Sequence, residues 1–508
     1  MKRKYIAYSL FLIASAFSSC KKDFLDQTNN PNQPTTGPAS VVLTGALTTT
    51  ARNINTGFTL EGYLMGYWSP AAGYAPGNSL LTYQFTTGDY QVFAPFYLNL
   101  ANYDYIIKQS GTDKSQVYFA AIAQIMEAYN FQALVDNYNN VPYSEAFQGA
   151  KNLTPKYENG KDIYAKLITK LDDAIAAIKG ASTDVVVNPG SADVMFGGDM
   201  TKWRKFANSL KLRLVLRQVP NVIDAAAAKT LMANNLSEGF LTTMANVNPG
   251  YLNVDGKQNP FWERYGENQA GSNNAANITA NAFGTDFYSS NADDRGAGFY
   301  TPINGNLVGN DFGTLVPITA SAIGRADLYN ASASNTFGLL KNPSMDAVVM
   351  SAAESYFLQS EAALRGVITG DAAALYNSGV TASFEYVLKT ADADAKAAKY
   401  LSQTGIAYPV LDANGNPTTP AQKLQAIITQ KWASLNGYGN LEAYNEYRRT
   451  GFPKVPVSIY TGVTVKNIPR RILYPASEYA QNASNVQAQG SINQFTSNIF
   501  WAQQVTSN

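Results

Sequence analysis

The chain has 508 residues with 38 Lys+Arg against 37 Asp+Glu, a formal net charge of +1, so no long-range field draws in nucleic acid or an anionic surface. It contains no histidine, which excludes Ser-His-Asp and Cys-His catalysis and ordinary His-ligated metal sites. Charged residues make up 15% and aromatics 12%, with 32 Tyr, against a charged share of roughly 25% in soluble proteins; neutral, ring-shaped or hydroxyl-rich ligands suit that surface.

In chain order, Lys2, Arg3 and Lys4 open a basic start, Tyr5 to Phe17 form a short apolar run, and Ser18 and Ser19 precede Cys20. That order is a secretory signal peptide over residues 1–19. The run is shorter than the ~20 residues a membrane-crossing helix needs, and no later segment is long and apolar enough to span. Cys20 is the single cysteine, so it has no intramolecular disulfide partner. Phe17-Ser18-Ser19-Cys20 resembles the small-small-Cys core of a bacterial lipobox, with Phe17 where Leu is usual. The resemblance implies that Cys20 is lipidated and serves as a tether, not as a nucleophile or metal ligand. Residues 20–40 are polar and rich in Asn, Pro and Gly, and read as a flexible tether.

Residues 41–508 read as one large domain of long helices with irregular insertions near 58–94 and 241–344. "SQVYFAAIAQIMEAYNFQALVDNY" is apolar nearly all round and is expected at the centre; "GKDIYAKLITKLDDAIAAIKG" follows as its partner helix. A short strand is expected in "SADVMF". In "TKWRKFANSLKLRLVLRQVP", Trp203, Phe206, Ala207, Leu210 and Leu214 share one face, charged residues fill much of the remainder, and Pro220 ends the run. In "DAVVMSAAESYFLQSEAALRG", Val349, Ala353, Tyr356, Ser360 and Ala363 form a helical stripe that ends before Gly366, with "DAAALYNSGVTASFEYVL" as the next helix. A second short strand is expected in "GVTVKNI". Antiparallel helices joined by short turns, with Ala at the crossings, give a mainly all-α, tetratricopeptide-like repeat scaffold with long loop insertions and a few short strands. No strict 34-residue register is present.

Five segments resemble one family. They are "VDNYNNVPYSEAF", "KWRKFANSLKLRLVLR", "AESYFLQSEAALRG", "QKWASLNGYGNLEAYNEYRRTGFP" and "RRILYPASEYAQNASNV", and they recur in the order of the SusD/RagB surface lipoproteins. One departure is Asn139-Asn140, where many members carry Gly-Asp. The resemblance implies four tetratricopeptide-like units anchored at the outer membrane, facing the cell exterior. It also implies a capture protein that delivers oligosaccharide, or occasionally another nutrient, to a TonB-dependent transporter of the SusC type. Catalysis is not expected, and nucleic acid is not an expected partner. Alternatives are a peptide-binding homologue of the same transport system, a carboxylate-dependent glycosidase, and a scaffold or adhesion protein.

Glu145, Arg213, Glu361, Arg448, Arg449 and Glu478 lie in those shared segments and are read as ion pairs that fix helix register; Arg448-Arg449 as an anion site is the competing reading. Ligand contacts then fall in the insertions. "EGYLMGYWSPAAGYAPGNSLLTYQF" supplies Tyr63, Tyr67, Trp68 and Tyr74, and "NPFWERYGENQAGSNN" supplies Asn259, Trp262 and Tyr265. A sugar ring has an apolar C–H face and a hydroxyl edge, which flat aromatics and planar amides complement. Trp68 and Trp262 lead because each sits between turn-forming residues; the competing reading is that these rings pin the loops. Glu442 and Glu446 share a helix face and are read as solvated rather than as a hydrolytic pair. Asp412, Asn414 and Asn416 echo a calcium loop without its Gly and Glu, so a plain turn is expected. No cofactor is expected, with a lone structural calcium left open. No phosphate loop or nucleophile elbow is present.

Overall fold

The computed structural model describes residues 37–74, 77–111, 113–182, 184–324, 337–412 and 414–503. The expected signal peptide, Cys20 and most of the tether lie outside them. Among the described residues nine helices reach ten residues or more. They are α1 Ala39–Gly57, α2 Phe93–Ser110, α3 Val117–Tyr138, α4 Gly160–Gly180, α5 Met200–Arg217, α6 Ala352–Leu364, α7 Ala372–Leu388, α8 Pro420–Ser434 and α9 Asn440–Thr450. Each helix from α1 to α7 packs on the next along the chain, α8 packs on α6, and α9 on α8. The array is the all-α scaffold expected from the sequence.

Local chemistry sets the helix ends. Asn159 caps α4 by accepting from Lys161 N–H, Asp199 caps α5 through Thr201 and Lys202, and Ser351 caps α6 through Glu354. Thr419 and Gln422 form a reciprocal capping box on α8, with Pro420 in the first turn, where its missing N–H costs nothing. In α4, Ile163, Leu167, Leu171, Ala174 and Ile178 face inward at helical spacing. In α3 every residue from Ile125 to Tyr138 is buried, as its all-round apolar pattern requires.

Six short strands occur among the described residues: β1 Trp68–Pro70, β2 Val141–Pro142, β3 Tyr157–Glu158, β4 Ala245–Val247, β5 Ile278–Ala280 and β6 Ala347–Met350. They pair antiparallel as β1 with β5, β2 with β3, and β4 with β6. Val349 therefore lies in a strand, and the helical stripe begins only after Ser351. Four buried residues in a row satisfy a two-sided strand as well as a helix. The strands expected in "SADVMF" and "GVTVKNI" do not form: the first is a 3₁₀ segment running into a turn, the second irregular. The irregular insertions carry their own short helices, Thr59–Leu64, Asn78–Thr82, Pro260–Tyr265, Ala282–Ser290 and Gly296–Phe299.

A set of buried ions lies within the largely apolar core. Arg213, Arg217, Lys431, Arg448 and Arg449 are buried with Asp136, Glu354, Glu361, Glu442 and Glu446, five cations with five carboxyl groups. Arg213 Nε meets Glu354 at 2.9 Å, and Arg217 meets Asp136 at 3.1 Å and also Glu442. Lys431 meets Glu446 at 2.9 Å, and Arg449 meets Glu361 at 2.6 Å and Glu446 at 2.5 Å. Arg448 donates to the Asp136 carbonyl at 2.8 Å and stacks over Tyr444 and Trp501. Glu442 and Glu446 are thus core ions, not the solvated face expected from their spacing. Burial pushes the Glu446 carboxyl up, but Arg449, Lys431 and Arg217 outweigh it and hold the group well below the carboxylate range. Asp136 and Glu354 instead lie above their ordinary values, because burial exceeds the pull of their arginines.

Removing one member of such a set strands its partner. Glu446→Gln is expected to lower the unfolding free energy by about 3–5 kcal/mol in urea titrations, with helical circular dichroism retained. The folded-state pKa of Glu446 is depressed from an ordinary value of 4.5, so its contribution is present above that pH and is lost on acidification. Melting temperatures should therefore fall more steeply below pH 4.5 in the unsubstituted protein than in the variant.

Candidate ligand-binding groove

Two insertions meet at the carboxyl end of α1. The first leaves α1 after Gly57, forms the helix Thr59–Leu64, turns at Gly66 with φ +67° and enters β1. The second contributes the helix Pro260–Tyr265, Asn277 and β5, and β1 pairs with β5 in register from Trp68↔Ala280 to Pro70↔Ile278. Between them lies a groove of about 510 Å³, within the size range of small-molecule sites. Its polar lining is Thr56, Thr59, Ser79, Gln91, Asn277 and Arg264, and its rings are Tyr63, Tyr74 and Tyr90.

Of the rings, Tyr74 is the open one, at 49% exposure. Tyr90 stands at positive φ with Phe85 edge-on at 5.2 Å; burial, then Asp89 and Glu61, pushes its phenol to about 12, so it stays a donor at neutral pH. Gln91 is oriented by Tyr138, whose hydroxyl donates to it at 3.0 Å. Among the described residues Arg264 is the single charge on the lining, and it lies over Tyr265. No carboxylate lines the groove among the described residues.

The expected contact residues divide. Tyr63 and Tyr74 line the groove, whereas Tyr67, Trp68, Asn259, Trp262 and Tyr265 lie behind it as the packing that shapes it. Tyr67 donates to the Trp432 carbonyl at 2.6 Å and stacks on that indole. Trp68 is fully buried between Tyr63 and Tyr265, pressed onto Gly62, where a Cβ would come within 2.3 Å of the indole. Trp262 donates from Nε1 to the Glu267 carbonyl at 3.1 Å. Tyr265 shares a hydrogen bond of 2.5 Å with Thr59. Asn259 accepts from Trp262 N–H at 2.9 Å and donates to the Met345 carbonyl at 2.9 Å, a helix cap rather than a free amide. An aromatic set among Gly and Pro in these loops anchors the backbone to the array. Tyr90, Gln91, Thr59 and Asn277 carry no signal in the sequence, because single polar residues in irregular chain have no periodic pattern.

A family model described as "Starch-binding associating with outer membrane" matches residues 31–475. The chain belongs to the SusD-like family. Solved structures agree on the fold. A SusD homologue from Bacteroides fragilis shares 21% identity at TM-score 0.71, with 92% of this chain and all of that one covered. A chitin-binding SusD homologue from Flavobacterium johnsoniae shares 23% at TM-score 0.72, with 92% and 100% covered. A SusD homologue from Bacteroides uniformis shares 25% at TM-score 0.71, with 91% and 99% covered. No curated protein matches.

In this SusD-like protein the Gly-Asp position of the family turn is served by Asn139 and Asn140. Asn139 takes φ +65° and accepts from Phe500 N–H at 2.7 Å, while Asn140 accepts from Gly160 N–H at 3.0 Å; asparagine is among the few non-glycine residues that tolerate positive φ. Of the shared charged residues, Arg213, Glu361, Arg448 and Arg449 belong to the buried ionic set. Glu145 and Glu478 lie outside it: Glu145 accepts from Asn152 and Lys156 N–H, and Glu478 from Tyr157. Asp412 accepts from Asn414 and Asn416 N–H, closing a turn on itself. Among the described residues no three His, Cys, Asp or Glu side chains gather as a metal would require, and no helix is long and apolar enough to cross a membrane.

Behind the groove, Glu61 sits on the helix that carries Thr59 and Tyr63. It is buried, its Oε1 lacks a hydrogen-bond partner, and burial pushes it to about 7, with its own N–H and Arg448 pulling the other way. Its folded-state pKa is raised, so its stabilising contribution is complete below the ordinary 4.5 and is lost as pH rises through about 7. Glu61→Gln should match the parent near pH 4.5 and exceed it at pH 8 by about 2–3 kcal/mol in thermal or urea unfolding.

Proposed function

We propose that this protein captures a neutral oligosaccharide in the loop groove and delivers it, uncut, to a SusC-like TonB-dependent transporter while held at the outer membrane through lipidated Cys20. The observation that carries the reading is the lining itself: among the described residues it has three tyrosines, from the buried Tyr63 to the exposed Tyr74, with hydroxyl and amide side chains, one arginine and no carboxylate. Rings complement the C–H face of a pyranose, and neutral polar groups answer its hydroxyls without the desolvation cost of a charge. The family description and the chitin-binding neighbour support a polysaccharide-derived cargo. Glycoside hydrolysis needs two carboxyl groups facing a substrate; Glu442 and Glu446, the pair that helix spacing offers, are consumed by Arg217, Lys431 and Arg449.

The topology suits a tethered carrier. Residues Ala39 and Thr56 stand at opposite ends of α1, about 25 Å apart at 1.5 Å per residue. The described chain enters α1 at Ala39, the end away from the groove.

Titration of the mature protein with maltohexaose, cellohexaose, xylohexaose and chitohexaose should find at least one that binds and none that is shortened. Tyr74→Ala should weaken that binding by tenfold or more while the melting temperature holds, since the ring is half in solvent; loss of fold instead would make Tyr74 a packing residue. Cys20→Ala should move the protein from the membrane fraction to the soluble one, and persistent membrane association would refute the anchor.

A further inference from the structure

A second groove of about 480 Å³ lies where the β4–β6 ribbon meets the α6–α7 hairpin, and it shares no lining residue with the loop groove. Its shape follows from side-chain size. Gly379 turns inward against Phe357, where a Cβ would sit 2.9 Å from the ring, so α7 closes tightly on α6. On the outward face, Ser378, Thr381 and Ala382 are small and leave a floor between two walls, Tyr356 from α6 and Tyr386 from α7. Tyr386 is fixed from two sides, by Tyr438 edge-on at 5.2 Å and by Lys341 Nζ at 3.9 Å from the ring centre. Thr242 and Thr243, just ahead of β4, form the opposite lip.

Five polar side chains on this lining, Thr242, Thr243, Tyr356, Asn377 and Thr381, make no hydrogen bond to another group of the described chain. Hydroxyls and an amide with free capacity, set around two flanking rings, form the same chemical pattern as the loop groove. Among the described residues the lining carries one carboxylate, Glu385, and one ammonium, Lys389, with Lys341 against the Tyr386 ring, so opposite charges offset there and the site is not built to select an ion.

We propose that the α6–α7 groove is a second binding site for a neutral oligosaccharide segment, with Tyr356 and Tyr386 against sugar rings and Thr242, Thr243, Asn377 and Thr381 on the hydroxyls. The inference rests on the carbohydrate reading of the loop groove. Two sites on one carrier hold a polymer by avidity, because engagement of one raises the effective concentration at the other. A chain long enough to reach both then binds more tightly than a hexaose.

The test is calorimetric stoichiometry on the full mature protein with whichever of the four hexaoses binds. Two equivalents per protein are expected, falling to one in Thr381→Trp, which fills the floor, and to one in Tyr74→Ala. Tyr356→Ala and Asn377→Ala, on partly open side chains, repeat the measurement should the tryptophan disturb folding. One equivalent in the parent protein, unchanged by all three α6–α7 groove variants and lost with Tyr74→Ala, overturns this inference and leaves the loop groove standing. Loss of all binding in Thr381→Trp with Tyr74→Ala silent supports the second groove and overturns the first. If none of the four binds, the carbohydrate reading falls and takes this inference with it.

Discussion

The ionic set at the centre of the helical array constrains everything built on it. Each buried charge is costly to desolvate and is tolerated only where its partners stand within hydrogen-bond reach. Arg217 can meet Asp136 and Glu442, and Arg449 can meet Glu361, only when α3, α5, α6 and α9 hold one mutual register. Lys431 adds α8 through Glu446. Apolar helix faces tolerate a slip of a turn; this arrangement does not.

That register is passed on to the groove by a few bonds. Trp432 on α8 donates to the Met65 carbonyl at 2.9 Å and receives the Tyr67 hydroxyl on its own carbonyl. Asn440 at the start of α9 holds the Phe58 carbonyl at 3.1 Å. The loop from Phe58 to Pro70 therefore hangs on the two helices that supply Lys431, Glu442, Glu446 and Arg449. Trp68 and Tyr265 lock it to the second insertion at 5.0 Å. Charge makes the scaffold specific, while the surface it presents to a ligand is almost free of charge.

Much of this could be read from the chain. The all-round apolar pattern of Val117–Tyr138 located the central helix, and the aromatic, Gly-rich insertions located the two segments that wall the groove. Which rings face outward could not be read, since the fate of Trp68 depends on Gly62 six residues back and on Tyr265 almost two hundred residues on. The same limit explains Glu442 and Glu446. Their helical spacing is that of a solvated face, and the cations that bury them come in part from Arg217, more than two hundred residues earlier. Long-range partners, not local pattern, decided burial in each case.

The account's central claim is that the loop groove with Tyr74 at its mouth and Arg264 as its one described charge takes the sugar, while Trp68 and Trp262 stay packed behind it. A crystal structure of the protein soaked with a bound hexaose tests this most directly. Sugar density across Tyr74, with hydroxyls reaching Gln91 and Asn277 and both indoles in their packed positions, is the predicted result. A sugar stacked on Trp68 or Trp262 after the loops have opened would contradict it.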